Sequence, residues 1–311
     1  MKRCAVFILV VLGLFGSRQA IWADAFTFST FDIPGAVNIY PTGINNAGQI
    51  VGTFNDSDSH HGFLYTNNAF TIFEVPGSGS TFPADINDTG EIVGSYTNNH
   101  GDESHGFLYS QGVFTTIDVP NSRGTSGALG LNNVGQIVGT FDSTPPTRGF
   151  LYSNGVFSTL DFPRPQDTSR TTRLYGINDA GQIAGSFCGV SPDGYECYGF
   201  IYFNSNFTIV DGDLRGINNV GQVVGSTFVY TNGTFTTINV PGSTETSVDG
   251  INDAGQIVGN YVDNEDHLHG FVATPIPVPE PASLILLASG LAIIGISIRR
   301  KRTPVSGRNS Y

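Results

Sequence analysis

The segment Gly43-Ile44-Asn45-Asn46-Ala47-Gly48-Gln49-Ile50-Val51-Gly52 decides the fold, because it recurs. It returns as Asp85-Ile86-Asn87-Asp88-Thr89-Gly90-Glu91-Ile92-Val93-Gly94, and again over 130–139, 176–185, 216–225 and 250–259. Each copy sets an Asn-(Asn/Asp)-x-Gly turn between two apolar patches. Asn and Asp tolerate positive φ and bond their own backbone, and Gly supplies a second such position. Asn45, Asn87, Asn132, Asn178, Asn218 and Asn252 are therefore expected to build hairpin turns. That structural role is preferred to a functional one in which six amides in a ring line a site.

Each turn leads into a short strand such as Gln136 to Phe141, and a variable polar loop follows. Next come Gly-Phe-Leu-Tyr or a near copy (Gly62 to Tyr65, Gly106 to Tyr109), a Ser/Asn/Gly turn, and a segment like Phe114 to Pro120. Each unit thus holds four short β candidates punctuated by turn residues, and no segment of the core keeps a 3.6-residue period. The six Asn are 42, 45, 46, 40 and 34 residues apart. Four strands in that length is the period of a propeller blade. In the shortest unit only Ser226 to Val229 separate Gly225 from Tyr230, which predicts a tight hairpin there. The Phe-Leu-Tyr triplet is apolar on consecutive positions and should be covered on both faces, as a strand between stacked blades is.

The phase of the repeats sets the closure. The core opens with Phe26 to Pro34, a fourth strand with no unit before it, and its last unit stops at Gly270 to Thr274 without a fourth strand. Joining the two makes six complete units and removes the sheet edges that an open solenoid or two three-unit domains would expose. The predicted fold class is all-β, a six-bladed β-propeller of four-stranded repeats over 26–274, closed by the N-terminal strand completing the last blade.

The two ends are targeting devices. Lys2 and Arg3 precede an apolar run, Cys4 to Phe15, and Ala23-Asp24-Ala25 follows, so 1–25 reads as a secretory signal peptide. At the other end, 275–281 is a stiff Pro-rich linker. The uncharged span 282–298 has the minimum length of a transmembrane helix, and 299–311 is a basic tail held in the cytoplasm.

Of the 14 Lys and Arg, three lie in the leader and five at the C-terminus, leaving six Arg against 24 of the 26 acids, a core balance of −18. Nucleic acid is excluded as a partner by that charge. Cys188 and Cys197 close one Gly/Pro-bearing loop in an exported domain and read as a disulfide.

The repeat Gly-Ile-Asn-(Asn/Asp)-x-Gly-Gln-Ile-Val-Gly followed by His-Gly-Phe-Leu-Tyr resembles the bacterial extracellular HAF repeat family. Gly62, Gly106 and Gly270 stand where that family usually has Ala, and Arg148 and Tyr198 replace its His. The resemblance implies a secreted propeller-like domain and no activity. The tail resembles a PEP-CTERM sorting signal: the motif Pro279-Glu280-Pro281, the apolar span, and the cluster Arg299-Arg300-Lys301-Arg302. It implies recognition by an exosortase, a transient stay in the inner membrane of a Gram-negative bacterium that exports polysaccharide, and a cell-surface or secreted product. The nine residues from Thr303 to Tyr311 extend beyond the usual end of such signals.

The chemical inventory is thin. Asn-Asp-x-Gly offers too few alternating oxygens for a calcium loop, although Asp56 to His61 and Asp263 to His269 are rich enough to attract weak surface calcium. His61, His105 and His269 share one repeat position in different blades and cannot converge on zinc, so no metal site is expected. Glu74, Asp118 and Asp161 share another position and read as a solvated outer face. No nucleophile motif occurs. Two classes of function stand: a non-catalytic surface or matrix protein binding exopolysaccharide, which is preferred, and an exported propeller enzyme acting on glycans or lactones. A catalytic centre would break the repeat symmetry at one end of the axis. The asymmetric features noted in the sequence are the Cys loop and the insertion carrying Arg164, Arg170 and Arg173.

Overall fold

The computed structural model describes residues 26–57, 59–143, 147–163, 171–191 and 194–277. The leader, Pro279, Glu280, Pro281, the apolar span and Arg299, Arg300, Lys301 and Arg302 lie outside them, as do Arg164 and Arg170. Among the described residues, twenty-four strands form six four-stranded antiparallel sheets. The first blade is Asn38–Ile44, Ile50–Asn55, His60–Thr66 and Ala69–Phe73, in that order from the axis outward. Its pattern repeats through the sixth, whose fourth strand is Phe26–Phe31, paired with Leu268–Pro275 from Phe26 opposite Pro275 to Phe31 opposite Gly270. The closure read from the repeat phase is the closure observed.

A side-chain clasp reinforces it. His269 Nδ1 lies 2.9 Å from Asp32 Oδ1, across 237 residues of sequence. The same pair recurs inside other blades: His61 with Glu74 at 2.5 Å, His105 with Asp118 at 2.7 Å, and Arg148 Nε donating to Asp161 at 2.7 Å. The acid position is therefore not a freely solvated face. The residue that opens the third strand takes its carboxylate from the fourth.

Packing is cyclic as well. In each second strand the residue after the opening Ile or Val packs its side chain into the core of the next blade. Val51 packs with Ile86, Ile92 and Phe107, Val93 with Leu131 and Phe150, Val138 with Leu174 and Phe200, and Val258 returns to Ile39, Ile44 and Phe63. Phe63, Phe107, Phe150, Phe200 and Phe271 are fully buried. The short unit makes the expected hairpin, Val223–Gly225 turning directly into Phe228–Thr231.

The Asn turns differ from expectation in one respect. None of the six Asn takes positive φ; in the first blade Gly48 does, at 74°. Asn45 O accepts from Gly48 N at 3.0 Å and Asn45 N donates to Gln49 O at 3.1 Å, a type I turn closed by a glycine bulge. Asn45 Oδ1 accepts the N–H groups of Ala47 and Gln49, so the amide caps the turn instead of permitting an unusual backbone.

Candidate functional site

The six inner strands converge on an axis with two unlike ends. At the turn end two hydrogen-bonded girdles encircle it. Asn45 Nδ2 donates to Asn87 O in the next blade, and Asn87, Asn132, Asn178, Asn218 and Asn252 repeat this until the ring closes on Asn45 O, all at 2.9–3.3 Å. The second girdle alternates Asn and Asp: Asn46, Asp88, Asn133, Asp179, Asn219, Asp253. Each main-chain N–H donates to the next side-chain Oδ1 at 2.7–2.8 Å. Each Asn Nδ2 splits its protons between the two flanking Asp Oδ2 atoms at 2.8–3.1 Å. Burial opposes ionisation of Asp253, but the Asn219 N–H and the amides of Asn46 and Asn219 outweigh it and hold the carboxyl below its usual range. Asn45 and its equivalents therefore serve as turn caps and as inter-blade staples. The carboxylates around this mouth have their oxygens engaged.

Two residues inward from the first girdle the strands nearly touch. A Cβ at Gly130 would sit 2.5 Å from Tyr175 O and 2.8 Å from Gly176 Cα, which explains Gly43, Gly130, Gly176, Gly216 and Gly250 at that level. The second blade alone places a side chain there. Asp85 Oδ1 accepts Ile86 N at 2.9 Å and Oδ2 accepts Leu131 N of the third blade at 3.2 Å. Burial pushes its carboxyl up to about 7 against those two N–H groups. Asp85 lines both the 60 Å³ hollow beneath the Asn girdles and a 30 Å³ hollow on its other side.

Beyond it each inner strand carries a β-bulge, between Pro41 and Gly43 in the first blade and at the equivalent place in the other five. A bulged residue leaves the ladder and its side chain is re-aimed. Here the six are Thr42, Ala84, Leu129, Tyr175, Arg215 and Asp249, and all six line a funnel of about 530 Å³ at the end opposite the Asn girdles. Tyr40, Phe82, His60 and Asp213 extend its wall, with the His60 ring 5.3 Å from Phe82. Arg215 Nη1 donates to Asp249 Oδ1 at 2.5 Å and Ser247 Oγ at 3.0 Å, and its Nε lies 3.7 Å from Asp213 Oδ2. Burial lifts the Asp249 carboxyl above its usual range despite the guanidinium beside it.

The repeat symmetry is thus broken where the strands bulge; the Cys loop is not this site, and Arg164 and Arg170 lie outside the described residues. Cys188 and Cys197 are bonded, their Cα atoms 4.1 Å apart in opposed strands of the fourth blade. Arg173 is exposed on the inner strand Thr171–Ile177. Asp263, Glu265 and His267 come within 4.8 Å of one another. There Asp263 Oδ1 already accepts the N–H groups of Glu265 at 2.8 Å and His267 at 2.9 Å, while Oδ2 lies 3.1 Å from His269. The sequence carried two signals for the axial site: Asp85 stands where the other copies have Gly before Ile-Asn or Leu-Asn, and the residue before that position differs in all six.

Residues 277–301 match the PEP-CTERM protein-sorting motif, the mark of a protein exported and sorted by an exosortase and processed at its C-terminus. The class is therefore an exported six-bladed propeller. No curated protein matches the chain. Among solved structures it is similar to TolB from Acinetobacter baumannii, at 12% identity and TM-score 0.44 over 76% of this chain, and it spans 63% of the TolB chain. It is also similar to the six-bladed, fucose-recognising fungal lectin of Aleuria aurantia, at 11% identity and TM-score 0.37 over 82% of this chain and 80% of that one. A GH62 hydrolase solved with xylotriose gives 10% identity and TM-score 0.39 over 80% and 95%.

Proposed function

We propose that this chain is an exported surface or matrix protein of a Gram-negative bacterium whose HAF-type repeats form a non-catalytic propeller, and that the propeller holds exopolysaccharide at its axial funnel. The observation that carries the reading is the bulge ring. A purely structural repeat has no reason to vary one position six ways while its neighbours stay Ile/Leu and Asn. A ligand without six-fold symmetry supplies that reason. Aromatic rings at Tyr40, Phe82 and Tyr175 beside hydrogen-bonding groups at Thr42, Arg215 and Asp249 suit a sugar, which has an apolar face and a polar rim. The sorting motif and the repeat pattern support a surface location. Purified protein should retain polysaccharide from its own host on a glycan array without shortening it. An array with no retained glycan overturns the reading.

The second reading is an exported enzyme acting on glycans or lactones. Asp85 favours it, since a carboxyl lifted to about 7 beneath a funnel can exchange a proton near neutral pH. A hydrolase panel run on the same preparation separates the two: release of reducing ends, abolished by D85N, would make the protein an enzyme.

A further inference from the structure

We infer that the funnel takes a sugar residue bearing a free amine, with the ammonium against Asp249 and Asp213 and the apolar ring face against Leu129 and Phe82. This assignment rests on the saccharide reading above and narrows it to one chemical class.

Two sides of the funnel differ in kind. Going round the axis, Ala84 and Leu129 are followed by Tyr175, then by Arg215, Asp249 and Thr42. A ligand must therefore present an apolar face to one side and donors to the other. The charged side is short of positive charge. Arg215 is engaged by Asp249 and flanked by Asp213, so the lining holds two carboxylates against one guanidinium. Asp249 lines the cavity, and its Oδ2 accepts no hydrogen bond among the described residues, while its Oδ1 is held by Arg215. A ligand carboxylate would meet two anions and an Arg whose charge they already balance. An ammonium would meet the open acceptor and complete the charge balance.

The surrounding face acts in the same direction. The loops between second and third strands, and those from each fourth strand to the next blade, open at the funnel end, because the inner strands run from there to the Asn turns. Among the described residues they carry Asp56, Asp102, Glu103, Glu265 and Asp266, with Asp142 at a strand end beside them, against exposed Arg123 in the loops and Arg173 on an inner strand. Among the described residues these acids outnumber the Arg around the mouth. Such a field draws cations in and turns polyanions away.

Titration calorimetry on the full-length protein in mild detergent tests the inference with three trisaccharides: glucosamine trimer, its N-acetylated counterpart, and trigalacturonate. We expect the free-amine trimer to bind at least about tenfold more tightly than the acetylated one, and trigalacturonate not at all. The D213N variant alters a half-exposed carboxylate that accepts no hydrogen bond among the described residues and only faces Arg215 Nε at 3.7 Å, and should weaken the free-amine trimer about fivefold while leaving the acetylated one unchanged. The L129W variant, which fills the funnel, should abolish binding of both. Equal affinity for the two trimers, or preference for trigalacturonate, with L129W still blocking, overturns the amine assignment and leaves the funnel reading standing. Absence of all saccharide binding, or binding indifferent to L129W, overturns the funnel reading itself.

Discussion

Replacing Asp85 by Gly tests the axial geometry through stability alone. The carboxyl's ordinary value of 3.8 rises to about 7 in the folded chain because burial disfavours its charge. Below pH 3.8 it is protonated folded and unfolded alike, and contributes no pH dependence. Between the two values the native state keeps a proton that the unfolded chain has released. Native stability therefore falls as pH rises through that window, and the loss is complete above about 7. A shift of about three units is worth about 4 kcal/mol. Gly is what the other five blades carry at this level. The variant loses the bonds to Ile86 N and Leu131 N, but that offset is the same at every pH at which Asp85 is protonated. It drops out when melting temperatures of variant and wild type are compared at pH 4 and at pH 8. For a domain of this size each kcal/mol moves the midpoint by about 2–4 °C. The variant should gain roughly 8–16 °C on the wild type between those two pH values. A difference that stays constant within about 2 °C would show that Asp85 ionises freely, and the account of the throat would be wrong.

Three further outcomes follow from the same structure. Deleting 26–34 removes the sixth blade's outer strand, the Asp32 clasp, and the packing of Phe26, Phe28 and Phe31; at about 1 kcal/mol for each of these half-buried Phe, on top of the lost strand pairing, the loss is a large part of the stability of a typical domain, and a truncated core that melts like the full one refutes closure. N133D turns a donor shared by Asp88 and Asp179 into a third carboxylate between them; it should destabilise by about 2 kcal/mol at pH 7 and recover towards wild type near pH 3, read by denaturant melts. Epitopes in a core loop and at Tyr311 should separate on cell fractionation, the mature form keeping the first and lacking the second; both remaining together in the inner membrane would refute sorting by the C-terminal motif.

What the sequence disclosed, and what it withheld, divides along the distinction between local and circular information. Turn chemistry and strand spacing are local, so the four-strand unit was legible in 34–46-residue spacings, and the displaced strand at Phe26 was legible because repeat phase is a counting argument. The Asn were half legible. Their capping of Gln49 and its equivalents is a contact within four residues, whereas their donation to the next blade spans 34–46 residues and, at the seam, 207. The bulges were hidden because a bulge is a property of two paired strands, and pairing offset by one residue leaves no mark on either strand alone. For the same reason Thr42 and Arg215 read as unremarkable neighbours of a turn, and the Arg-bearing insertion drew attention that belongs to the axis. Asp85 was in plain view, but its meaning depends on Gly43 and Gly130 crowding the level it occupies, which only the closed ring creates.

The second girdle bears on why the ring has six blades. Along it, Asn46, Asn133 and Asn219 alternate with Asp88, Asp179 and Asp253 without exception. Each Asp Oδ2 needs donors on both sides, and each Asn Nδ2 has two protons to give to two acceptors. The exchange is complete only if every Asn lies between two Asp and every Asp between two Asn. A ring with an odd number of blades cannot alternate: somewhere two Asp would face each other, leaving acceptors without donors and two like charges in contact, or two Asn would leave protons unshared. The main-chain links to Oδ1 are indifferent to which residue supplies the oxygen, so they set no parity. The choice between Asn and Asp at one turn position thus rejects five- and seven-bladed closures of the same repeat, while the wedge of Val51, Val93 and their equivalents into the next blade sets the curvature that brings six round to meet. Curvature alone tolerates a neighbouring blade number, and parity alone tolerates four or eight. Together they leave six, and the single N-terminal strand that fastens the ring need only find the edge waiting for it.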